Sequence, residues 1–402
     1  MAYGPGCVSH MTPDQTLAGK QVVVAVTGSI AAVEVVKIIH MLRRCGAVVQ
    51  TVMSRAATEI ISPDAVTYAS GRPAITRISG LVEHVGYCGD GGSADLLLIA
   101  PCTANTISKI TCGIDDTPVT TFATTALGSG IPVLVVPAMH HSMYRHPAVR
   151  GNLECLRAWG VGVIDPRMEE GKAKIADNET IVLWCERMIL GQPLKGKRVL
   201  ITSGPCREQV DDVRVLTTRS TGLMGRSLAL EAFRLGADVT VVHRDIFPCV
   251  KNVPSDSAAD MRDAVRRCFL MGGGADIYIS AAAISDFVPK VYKGKIPSGK
   301  KVLLELEPLP KLLDEVIRQW SPLTVAFKLG SAPEKQSRQM LKKGVTAVLM
   351  NSKATMGSRE GDYKLLSAQG LTKLEGSKDV IARLFWRAII NIGYNPPPFH
   401  SV

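Results

Sequence analysis

The chain has 402 residues, of which 46% are hydrophobic and 21% are charged, and its formal net charge is +11 at pH 7. This composition is typical of a folded globular protein and argues against a disordered one. The length predicts two domains, because a single hydrophobic core rarely organises more than about 250–300 residues. The longest apolar runs have the length of a strand, well short of the roughly 18 residues that a membrane span needs, so we expect no membrane-spanning segment.

The positive charge is concentrated in the second half of the chain. Residues 1–190 contain 15 Lys and Arg against 16 Asp and Glu, whereas residues 191–402 contain 32 against 20. A basic half predicts an anionic partner. Its basic residues are dispersed and lack interleaved aromatic residues, so we expect small phosphorylated ligands rather than nucleic acid. For most of these side chains a solvated surface position remains the simpler interpretation.

The ten cysteines and eight histidines show no metal-binding pattern. The cysteines are irregularly spaced, no CxxC or HExxH occurs, and no Cys/His set has the spacing of a zinc site. We therefore predict reduced thiols in a cytoplasmic protein, and no metal site built from side chains. The first residues lack the pattern of a secretory signal, and residues 1–18 are expected to form a flexible tail.

Two similar segments organise the chain. "KQVVVAVTGSIAAVEVVKIIHMLRRCGAVVQTVM" (20–53) has the pattern strand, glycine turn, amphipathic helix, glycine, strand, and residues 197–243 repeat it with a longer first loop. Gly46 and Gly236 are placed to end the two helices. Alternating strands and helices predict an α/β fold with two Rossmann-like domains and mostly parallel sheets. We place the domains at 19–190 and 191–402, with a polar linker, "LGQPLKGK" (190–197), at their boundary.

Short hydroxyl residues follow three predicted strands of the first half. Ser29 follows the first strand, Ser54 the second, and Thr103 a later one. Ligands bind at the carboxyl ends of parallel strands, where backbone amides and hydroxyls together can hold a phosphate. Each hydroxyl taken alone is more simply a helix N-cap, but three at corresponding strand ends favour a phosphate site. Neither half carries a full GxGxxG or Walker sequence, so a generic dinucleotide or P-loop assignment is weak.

Three segments of the first half, "GSIAA" (28–32), "PCTANT" (101–106) and "PAMHHSMY" (137–144), resemble successive signatures of the flavin-dependent cysteine decarboxylases. The resemblance implies an FMN-dependent enzyme in which the flavin makes loss of CO₂ from a cysteine carboxyl group possible. It implies FMN contacts at Gly28, Ser29, Ile30, Ser54, Thr103, Ala104, Asn105 and Thr106. It also implies that His84, in "LVEHVGY", is catalytic, whereas on sequence alone such a histidine is usually a packed side chain.

The first half departs from that family in two places. His140 stands where the family usually has the Asn that holds the substrate carboxylate, so it could bind the carboxylate or be only a loop residue, as could His141. Met139, in the same signature, is assigned to substrate binding. The flap segment "DPRMEEGKAKIADNE" (165–179) lacks the cysteine of bacterial members. The cysteines at positions 102, 112 and 155 could substitute, although each is expected to pack in the core.

The second half resembles the phosphopantothenate–cysteine ligases through "LITSGPCREQVDDVRVLTTRSTGLMG", "ADIYISAAAISDFVPKVYKGKIPSGK", "VAFKLGS" and "LKKGVTAVLMNS". The match implies nucleotide-binding roles for Ala282, Asp286, Lys295, Phe327, Lys342 and Lys343, a catalytic role for Lys295, and substrate-binding roles for Thr218 and Asn351. Thr218 replaces the family's Asn, and the usual Glu after Phe327 is absent. For the lysines, solvated loop charge is the alternative interpretation.

Both halves together resemble the bifunctional phosphopantothenoylcysteine decarboxylase/phosphopantothenate–cysteine ligases of coenzyme A biosynthesis, in their archaeal form. This implies CTP, 4′-phosphopantothenate and cysteine as substrates, with FMN and Mg²⁺ as cofactors. It also implies a homo-oligomer of trimeric decarboxylase and dimeric ligase domains, for which a dodecamer is expected. Two alternatives stay open: a flavin-binding regulatory protein without activity, and another two-domain flavin or nicotinamide oxidoreductase, which would need the missing GxGxxG.

Overall fold

The computed structural model describes residues 15–169, 172–299, 301–330 and 333–393. The chain divides into two compact units, Met1–Gly191 and Gln192–Val402; the boundary expected from the sequence lies between residues 190 and 191. Within the described ranges, no helix is both long and apolar enough to cross a membrane.

The first unit alternates strands and helices along the chain. Its strands are β1 (Gln21–Val26), β2 (Val48–Met53), β3 (Leu96–Cys102), β4 (Val133–Pro137), β5 (Met139–His140), β6 (Gly162–Val163), β7 (Arg167–Glu169) and β8 (Lys172–Lys174). Its helices are α1 (Val35–Arg44), α2 (Arg55–Thr58), α3 (Pro63–Ser70), α4 (Glu83–Cys88), α5 (Ala104–Thr111), α6 (Pro118–Gly128), α7 (His141–Tyr144), α8 (Pro147–Ala158) and α9 (Asn178–Ile189). A 3₁₀ helix, Ile30–Glu34, precedes α1.

A five-stranded parallel sheet in the order β2-β1-β3-β4-β6 forms the centre of the first unit. Successive side chains of β1 point to opposite faces: Val22 and Val24 lie in one hydrophobic cluster, and Val23 and Ala25 lie in the other. Helices cover both faces of such a sheet, which is why its strands are apolar without interruption rather than alternating. The parallel α/β architecture predicted from the sequence is confirmed.

The second unit follows the same alternation and adds a hairpin. Its strands are β9 (Arg198–Thr202), β10 (Arg207–Gln209), β11 (Val215–Thr217), β12 (Asp238–His243), β13 (Lys251–Pro254), β14 (Ile277–Ser280), β15 (Phe287–Pro289), β16 (Leu306–Pro308), β17 (Leu323–Leu329), β18 (Ala347–Asn351), β19 (Glu360–Ser367) and β20 (Gly370–Ser377). Its helices are α10 (Leu223–Arg234), α11 (Ala258–Met271), α12 (Leu312–Trp320), α13 (Glu334–Lys342) and α14 (Lys378–Ile392), with a 3₁₀ helix at Lys353–Thr355.

The eight-stranded sheet of the second unit has the order β13-β12-β9-β14-β17-β18-β19-β20. It is parallel from β13 to β18, whereas β19 and β20 are antiparallel to their neighbours. The C-terminal helix α14 packs against α10, where the buried Trp386 donates from Nε1 to the carbonyl of Leu228 at 2.9 Å. Two antiparallel ribbons, β10-β11 and β15-β16, stand apart from this sheet.

Two segments expected to be loose are packed. Leu17, assigned to the flexible tail, is fully buried in the core of the first unit, and Thr16 donates a hydrogen bond to Glu186. The tail is therefore shorter than 18 residues, and residues 1–14 lie outside the described part of the chain. Within the expected linker, Leu194 is fully buried and its amide donates to the carbonyl of Leu235 at 2.9 Å, because an apolar side chain there can join the core of the second unit.

The helix ends expected at Gly46 and Gly236 are present. Their φ values are +92° and +96°, and they directly follow the residues that close α1 and α10. Glycine adopts this left-handed conformation without the steric cost that a Cβ imposes.

Candidate active sites

Three hydroxyl residues lie at the carboxyl edge of the first sheet, after β1, β2 and β3. Ser29, Ser54 and Thr103 each accept a hydrogen bond from a backbone amide two or three residues further on, at 3.4, 3.3 and 3.2 Å. All three are therefore N-caps, the simpler of the two interpretations. A capping hydroxyl uses an oxygen lone pair and keeps its own O–H, so it can still donate to a bound anion.

A cleft of about 520 Å³ opens at this edge. Five of the eight residues assigned to FMN line it: Gly28, Ser54, Thr103, Asn105 and Thr106. Arg55, Lys109 and Glu59 line the same cleft, and both cations are ion-paired, Arg55 with Glu59 at 3.9 Å and Lys109 with Asp116 at 2.6 Å. Ser29, Ile30 and Ala104 are not among the lining residues, and the side chain of Ile30 is 79% exposed.

Close backbone contacts define the floor of the cleft. A Cβ on Gly28 would lie 2.5 Å from Ala56 Cβ, so only glycine lets the turn after β1 approach the start of α2. The buried Thr27 hydroxyl donates to the carbonyl of Pro101 at 2.8 Å and accepts from the amide of Thr103 at 3.1 Å, which fastens the ends of β1 and β3 together. Small side chains, hydroxyl groups and helix N-termini suit the phosphate of a flavin nucleotide. The Thr103 and Thr106 hydroxyls hydrogen-bond to each other at 3.0 Å, so one of their two O–H donors is already used.

His84 lies on α4, and it is not among the residues that line the cleft. Its ring meets Phe122 of α6 edge-on, with 6.4 Å between centroids, and its buried Nδ1 has no hydrogen-bond partner within the described ranges. The preceding Glu83 carboxylate accepts from the amide of Ser79 at 2.9 Å, and its bonds with Ser79 lower the pKa of Glu83. A fixed loop thus presents an imidazole with an unsatisfied nitrogen, which in a folded protein needs an explanation.

The segment that carries Met139 and His140 pairs with the flap. β5 is antiparallel to β8, with Met139 opposite Ala173 and His140 opposite Lys172, and β8 is antiparallel to β7. His140 is exposed, whereas His141 has a buried Nδ1 without a partner among the described residues. The backbone therefore places the carboxylate-binding candidate beside the flap, and it adds His141 as a second imidazole there.

In the second unit, a cleft of about 410 Å³ lies at the carboxyl edge of the sheet, beside β14 and β17. It is lined by four of the six residues assigned to the nucleotide: Ala282, Asp286, Phe327 and Lys343. The small residues that follow β14 let a ligand approach the backbone, and the amide of Ala283 donates to the carbonyl of Gly204 at 2.9 Å. Lys311 and Lys328 also line the cleft and add to its positive charge.

The other four ligase residues lie outside that cleft. Lys342 is the exposed last residue of α13, and Asn351 donates from Nδ2 to the hydroxyl of Thr355 at 3.1 Å. Thr218 has a buried hydroxyl without a hydrogen-bond partner in the described part of the chain. Lys295 is exposed on the loop between β15 and β16.

Two glycines, Gly222 at the N-cap and Gly225 in the first turn, bring α10 close to the end of β9. Gly222 has a φ of +70°, and its carbonyl accepts from the hydroxyl of Ser203 at 3.2 Å. A Cβ on Gly225 would lie 2.1 Å from Ser203 Oγ, so the helix can approach the end of β9 only because this position is glycine. The first amides of α10 consequently lie at the same edge of the sheet as the cleft.

Similarity to known proteins covers both units. A family model described as "Flavoprotein" matches residues 10–189, and one described as "DNA/pantothenate metabolism flavoprotein C-terminal domain" matches residues 194–392. A coenzyme A biosynthesis bifunctional protein, CoaBC, from Thermococcus kodakarensis is 41% identical over 394 residues, which cover 94% of this chain and 97% of that protein. The chain belongs to this family of bifunctional coenzyme A biosynthesis proteins.

Similarity extends to a second CoaBC protein and to a solved structure. The CoaBC protein of Methanocaldococcus jannaschii is 32% identical over 383 residues, covering 92% of this chain and 93% of its own. A crystal structure of the C-terminal domain of a CoaBC protein is 28% identical, covers 50% of this chain and 96% of its own, and has a TM-score of 0.42. The chain is thus a bifunctional enzyme of coenzyme A biosynthesis, with a flavoprotein decarboxylase domain followed by a ligase domain.

Within this family assignment, the cysteines offered as substitutes for the flap cysteine differ in environment. Cys102 is fully buried, and burial raises the pKa of its thiol far above the usual range, so it behaves as an inert core residue. Cys155 is half-buried and Cys112 is exposed, so the expectation that each of the three packs in the core is wrong for Cys112, which lies just past the end of α5. Cys102 is thereby the least suited of the three to proton transfer.

The sequence did not identify every residue of the ligase cleft. Lys328 occupies a variable position of a family motif, and Lys311 lies outside the quoted motifs, so the patterns gave no reason to choose them. Lys328 could have been identified from its position in the largely buried strand Leu323–Leu329. A charged side chain in such a strand must reach water, an opposite charge or a ligand.

Proposed function

We propose that the second unit joins cysteine to 4′-phosphopantothenate with CTP and Mg²⁺, and that the first unit decarboxylates the product to 4′-phosphopantetheine with FMN. Membership of the bifunctional family carries the proposal, and the clefts at the two sheet edges support it. We place the enzyme in the reducing cytoplasm, since the nine described cysteines are free thiols.

In the first unit, Gly28, Ser54, Thr103, Asn105 and Thr106 would hold the FMN phosphate, with Ser29, Ile30 and Ala104 beside them. Bound FMN would supply the two-electron chemistry that makes the cysteine carboxyl group able to leave as CO₂. His84 transfers a proton at its imidazole, whose free Nδ1 supports this role. His140 holds the substrate carboxylate and Met139 contacts the substrate, both beside the flap.

In the second unit, the carboxylate of phosphopantothenate attacks the α-phosphorus of CTP and displaces pyrophosphate. The amine of cysteine then attacks the acyl carbon, loses a proton and displaces CMP. Lysines stabilise the charge that develops on the transferring phosphate, and bound Mg²⁺ would supply further neutralisation there. We assign that role to Lys295 and Lys343.

The remaining ligase residues bind and orient the substrates. Asp286 and Phe327 contact the nucleotide, and Ala282 lets it lie close to the backbone. We assign Thr218 and Asn351 to phosphopantothenate, and Lys342 to an outer phosphate contact.

We also propose a homo-oligomer. Large apolar side chains are exposed on the first unit at Ile30 and Leu81, and on the second at Leu303, which is 89% exposed, and at Phe287. Large exposed apolar side chains are candidate contacts of an interaction surface. Self-association through these surfaces, with trimeric first units and dimeric second units, would cover them.

The proposal is tested by supplying the purified protein with phosphopantothenate, cysteine, Mg²⁺ and each of the four nucleoside triphosphates in turn. We expect flavin absorbance, CO₂ release, and more pyrophosphate with CTP than with the others. His84→Asn should lower CO₂ release about 10²- to 10⁴-fold, the usual contribution of a general acid or base, while pyrophosphate release persists. Lys295→Gln should lower pyrophosphate release, and its CO₂ release should persist only when phosphopantothenoylcysteine is supplied directly.

A colourless protein that releases no pyrophosphate with any nucleotide would overturn the proposed function. A yellow protein that binds flavin but forms neither product would favour the regulatory alternative instead. Loss of both products in His84→Asn would contradict the separate assignment of the two reactions.

A further inference from the structure

A buried carboxylate joins two separate segments of the second unit. The side chain of Asp211 is fully buried. One of its oxygens, Oδ1, accepts hydrogen bonds from the amides of Val213 and Arg214 at 2.8 and 2.6 Å. The other, Oδ2, accepts from the amide of Ile296 at 3.0 Å. Ile296 lies 85 positions further along the chain, so the carboxylate closes a long-range contact.

Further bonds fasten the same two segments. The guanidinium of Arg214 is ion-paired with Asp211 and donates to the carbonyl of Ile296 at 3.4 Å. The backbone adds a bond from the amide of Tyr292 to the carbonyl of Val210 at 2.9 Å. We call the set formed by Asp211, Arg214 and the bonds to Ile296 the Asp211 clamp.

The clamp is charged under working conditions. Burial on its own would raise the pKa of Asp211, but hydrogen bonds from the amides of Ile296, Val213 and Arg214 and from the Arg214 guanidinium outweigh it, holding the pKa well below the usual range. A carboxylate that accepts several backbone amides is a strong, directional anchor.

The anchored peptide is the one that follows Lys295. Residues 290–299 are exposed apart from Ile296, which is 8% exposed, and Gly294 and Gly299 have positive φ values. Such a loop has a mobile backbone unless something fixes it, and a lysine on it would lose entropy each time it met a phosphate. The clamp fixes the backbone at the position next to Lys295.

We propose that Asp211 is a positioning residue for the ligase reaction, which holds the Lys295–Ile296 peptide and so sets where the Lys295 ammonium meets the transferring phosphate. The inference rests on the role proposed for Lys295. The alternative to this inference is a purely structural role, in which Asp211 stabilises the second unit and has no effect on the position of Lys295.

The test compares Asp211→Asn with wild type in the full-length protein. Asparagine keeps the size but replaces one acceptor oxygen by an NH₂ group, which cannot accept from the amides that now surround it. We expect kcat for pyrophosphate release to fall about 10- to 100-fold, as misplacement of a catalytic group does. CO₂ release from supplied phosphopantothenoylcysteine should stay unchanged. The matched control, Asp212→Asn at an exposed neighbour, should behave as wild type.

A double-mutant cycle with Lys295→Gln separates positioning from structure. If Asp211 acts through Lys295, Asp211→Asn causes no further loss of kcat in the Lys295→Gln background. An equal loss in both backgrounds, or a loss matched by a lower thermal midpoint of the second unit, overturns the inference.

Should Asp211→Asn fail to fold, Arg214→Gln removes the guanidinium bonds and leaves the amide bonds to the carboxylate. We expect Arg214→Gln to lower kcat less than Asp211→Asn does, and to cause no further loss of kcat in the Lys295→Gln background. If the losses from Arg214→Gln and Lys295→Gln add, the inference is overturned. Wild type without pyrophosphate release would refute the proposed function itself. Wild type that is active while Asp211→Asn and Arg214→Gln are unimpaired would refute only the positioning role.

Discussion

Gly28 illustrates how one missing side chain shapes the cleft proposed for flavin. It lies where the turn after β1 meets the start of α2, and a Cβ there would lie 2.5 Å from Ala56 Cβ and 3.1 Å from the Ala56 carbonyl carbon. Neither atom belongs to a flexible side chain that could swing aside, so the two segments must separate to admit a methyl group. Because Gly28 and Ala56 both line the cleft, that separation changes the proposed flavin site directly.

We therefore expect Gly28→Ala to lose flavin. The Kd for FMN, measured by titrating flavin into the flavin-free protein, should rise about tenfold or more, which corresponds to a loss of roughly 1.4 kcal/mol or more in binding free energy. CO₂ release should fall in parallel, and pyrophosphate release should persist. Gly128→Ala is the control, since nothing lies within 4 Å of its added Cβ in α6. An unchanged Kd for FMN in Gly28→Ala would remove Gly28 from the cofactor site.

The hydroxyls at the first sheet edge show what residue patterns can and cannot predict. Capping and phosphate binding favour the same residue types at the same place, and Ser54 and Thr103 cap helices while lining the cleft. The sequence therefore located the edge correctly but could not choose between the two roles. It could not find Lys311 either, because its place in the second cleft depends on how α12 lies against β17, which no local pattern encodes.

Helix α12 forms part of the wall of the cleft proposed for the nucleotide through Leu312, and an ion-pair network holds it on α11. Glu315 of α12 accepts from Arg262 at 2.6 Å and from Arg266 at 2.5 Å. The Glu315 side chain is 10% exposed. Burial raises the pKa of Glu315, but the bonds from Arg266 and Arg262 outweigh it, so the pKa lies below its usual value.

Glu315→Gln should destabilise the second unit. Both arginines are more than one third exposed, so solvent screening limits the loss in unfolding free energy to about 1–2 kcal/mol, which corresponds to roughly 2–8 °C in the thermal midpoint. Because the folded pKa is depressed, the stabilisation is complete above the unfolded pKa and is lost as pH falls through the folded pKa. The difference from wild type should hold from pH 7 to pH 5 and shrink below pH 4.

The control for this prediction removes the same charge from an exposed pair. Glu305 faces Lys290 at 3.6 Å with both side chains about 70% exposed, so Glu305→Gln should change stability by less than about 0.5 kcal/mol. A Glu315→Gln variant as stable as this control at pH 7 would show that the network does not hold α12.

At the scale of elements, the sequence predicted the parallel part of each sheet better than its edges. The strands buried on both faces are long apolar runs bounded by glycine and hydroxyl residues, which local patterns reveal. The antiparallel hairpin β19-β20 was not predicted. Its residues alternate in exposure, with Tyr363 and Leu365 buried and Asp362 and Lys364 exposed, as in a strand covered on one face. That pattern does not specify which strand it joins.

For the whole molecule, the division of charge and the division of structure agree. The nearly neutral first half corresponds to the unit with the neutral, hydroxyl-rich cleft, and the basic second half to the unit with the lysine-lined cleft. This could be predicted because charge and motif order are properties of the chain alone. The full set of residues that line each cleft could not be predicted, because these residues come from distant segments of the chain and meet only after the sheet has formed.

Because each unit contains its own cleft and its own assigned residues, the two reactions should be separable in solution. His84→Asn should make and release phosphopantothenoylcysteine, and Lys295→Gln should decarboxylate that intermediate without making it. A mixture of the two variants, supplied with phosphopantothenate, cysteine, CTP and Mg²⁺, should therefore recover CO₂ release after a lag. The lag reflects the time that the intermediate needs to accumulate.

The control mixture replaces His84→Asn with the His84→Asn/Lys295→Gln double variant, which forms no intermediate and should give no CO₂. If each single variant keeps its own half-reaction while their mixture stays inactive, the intermediate does not leave the chain that makes it. Separability would then be wrong, even though both sites work. A mixture that recovers without a lag would instead indicate that the intermediate passes between chains within one assembly, because transfer inside an assembly needs no accumulation in bulk solution.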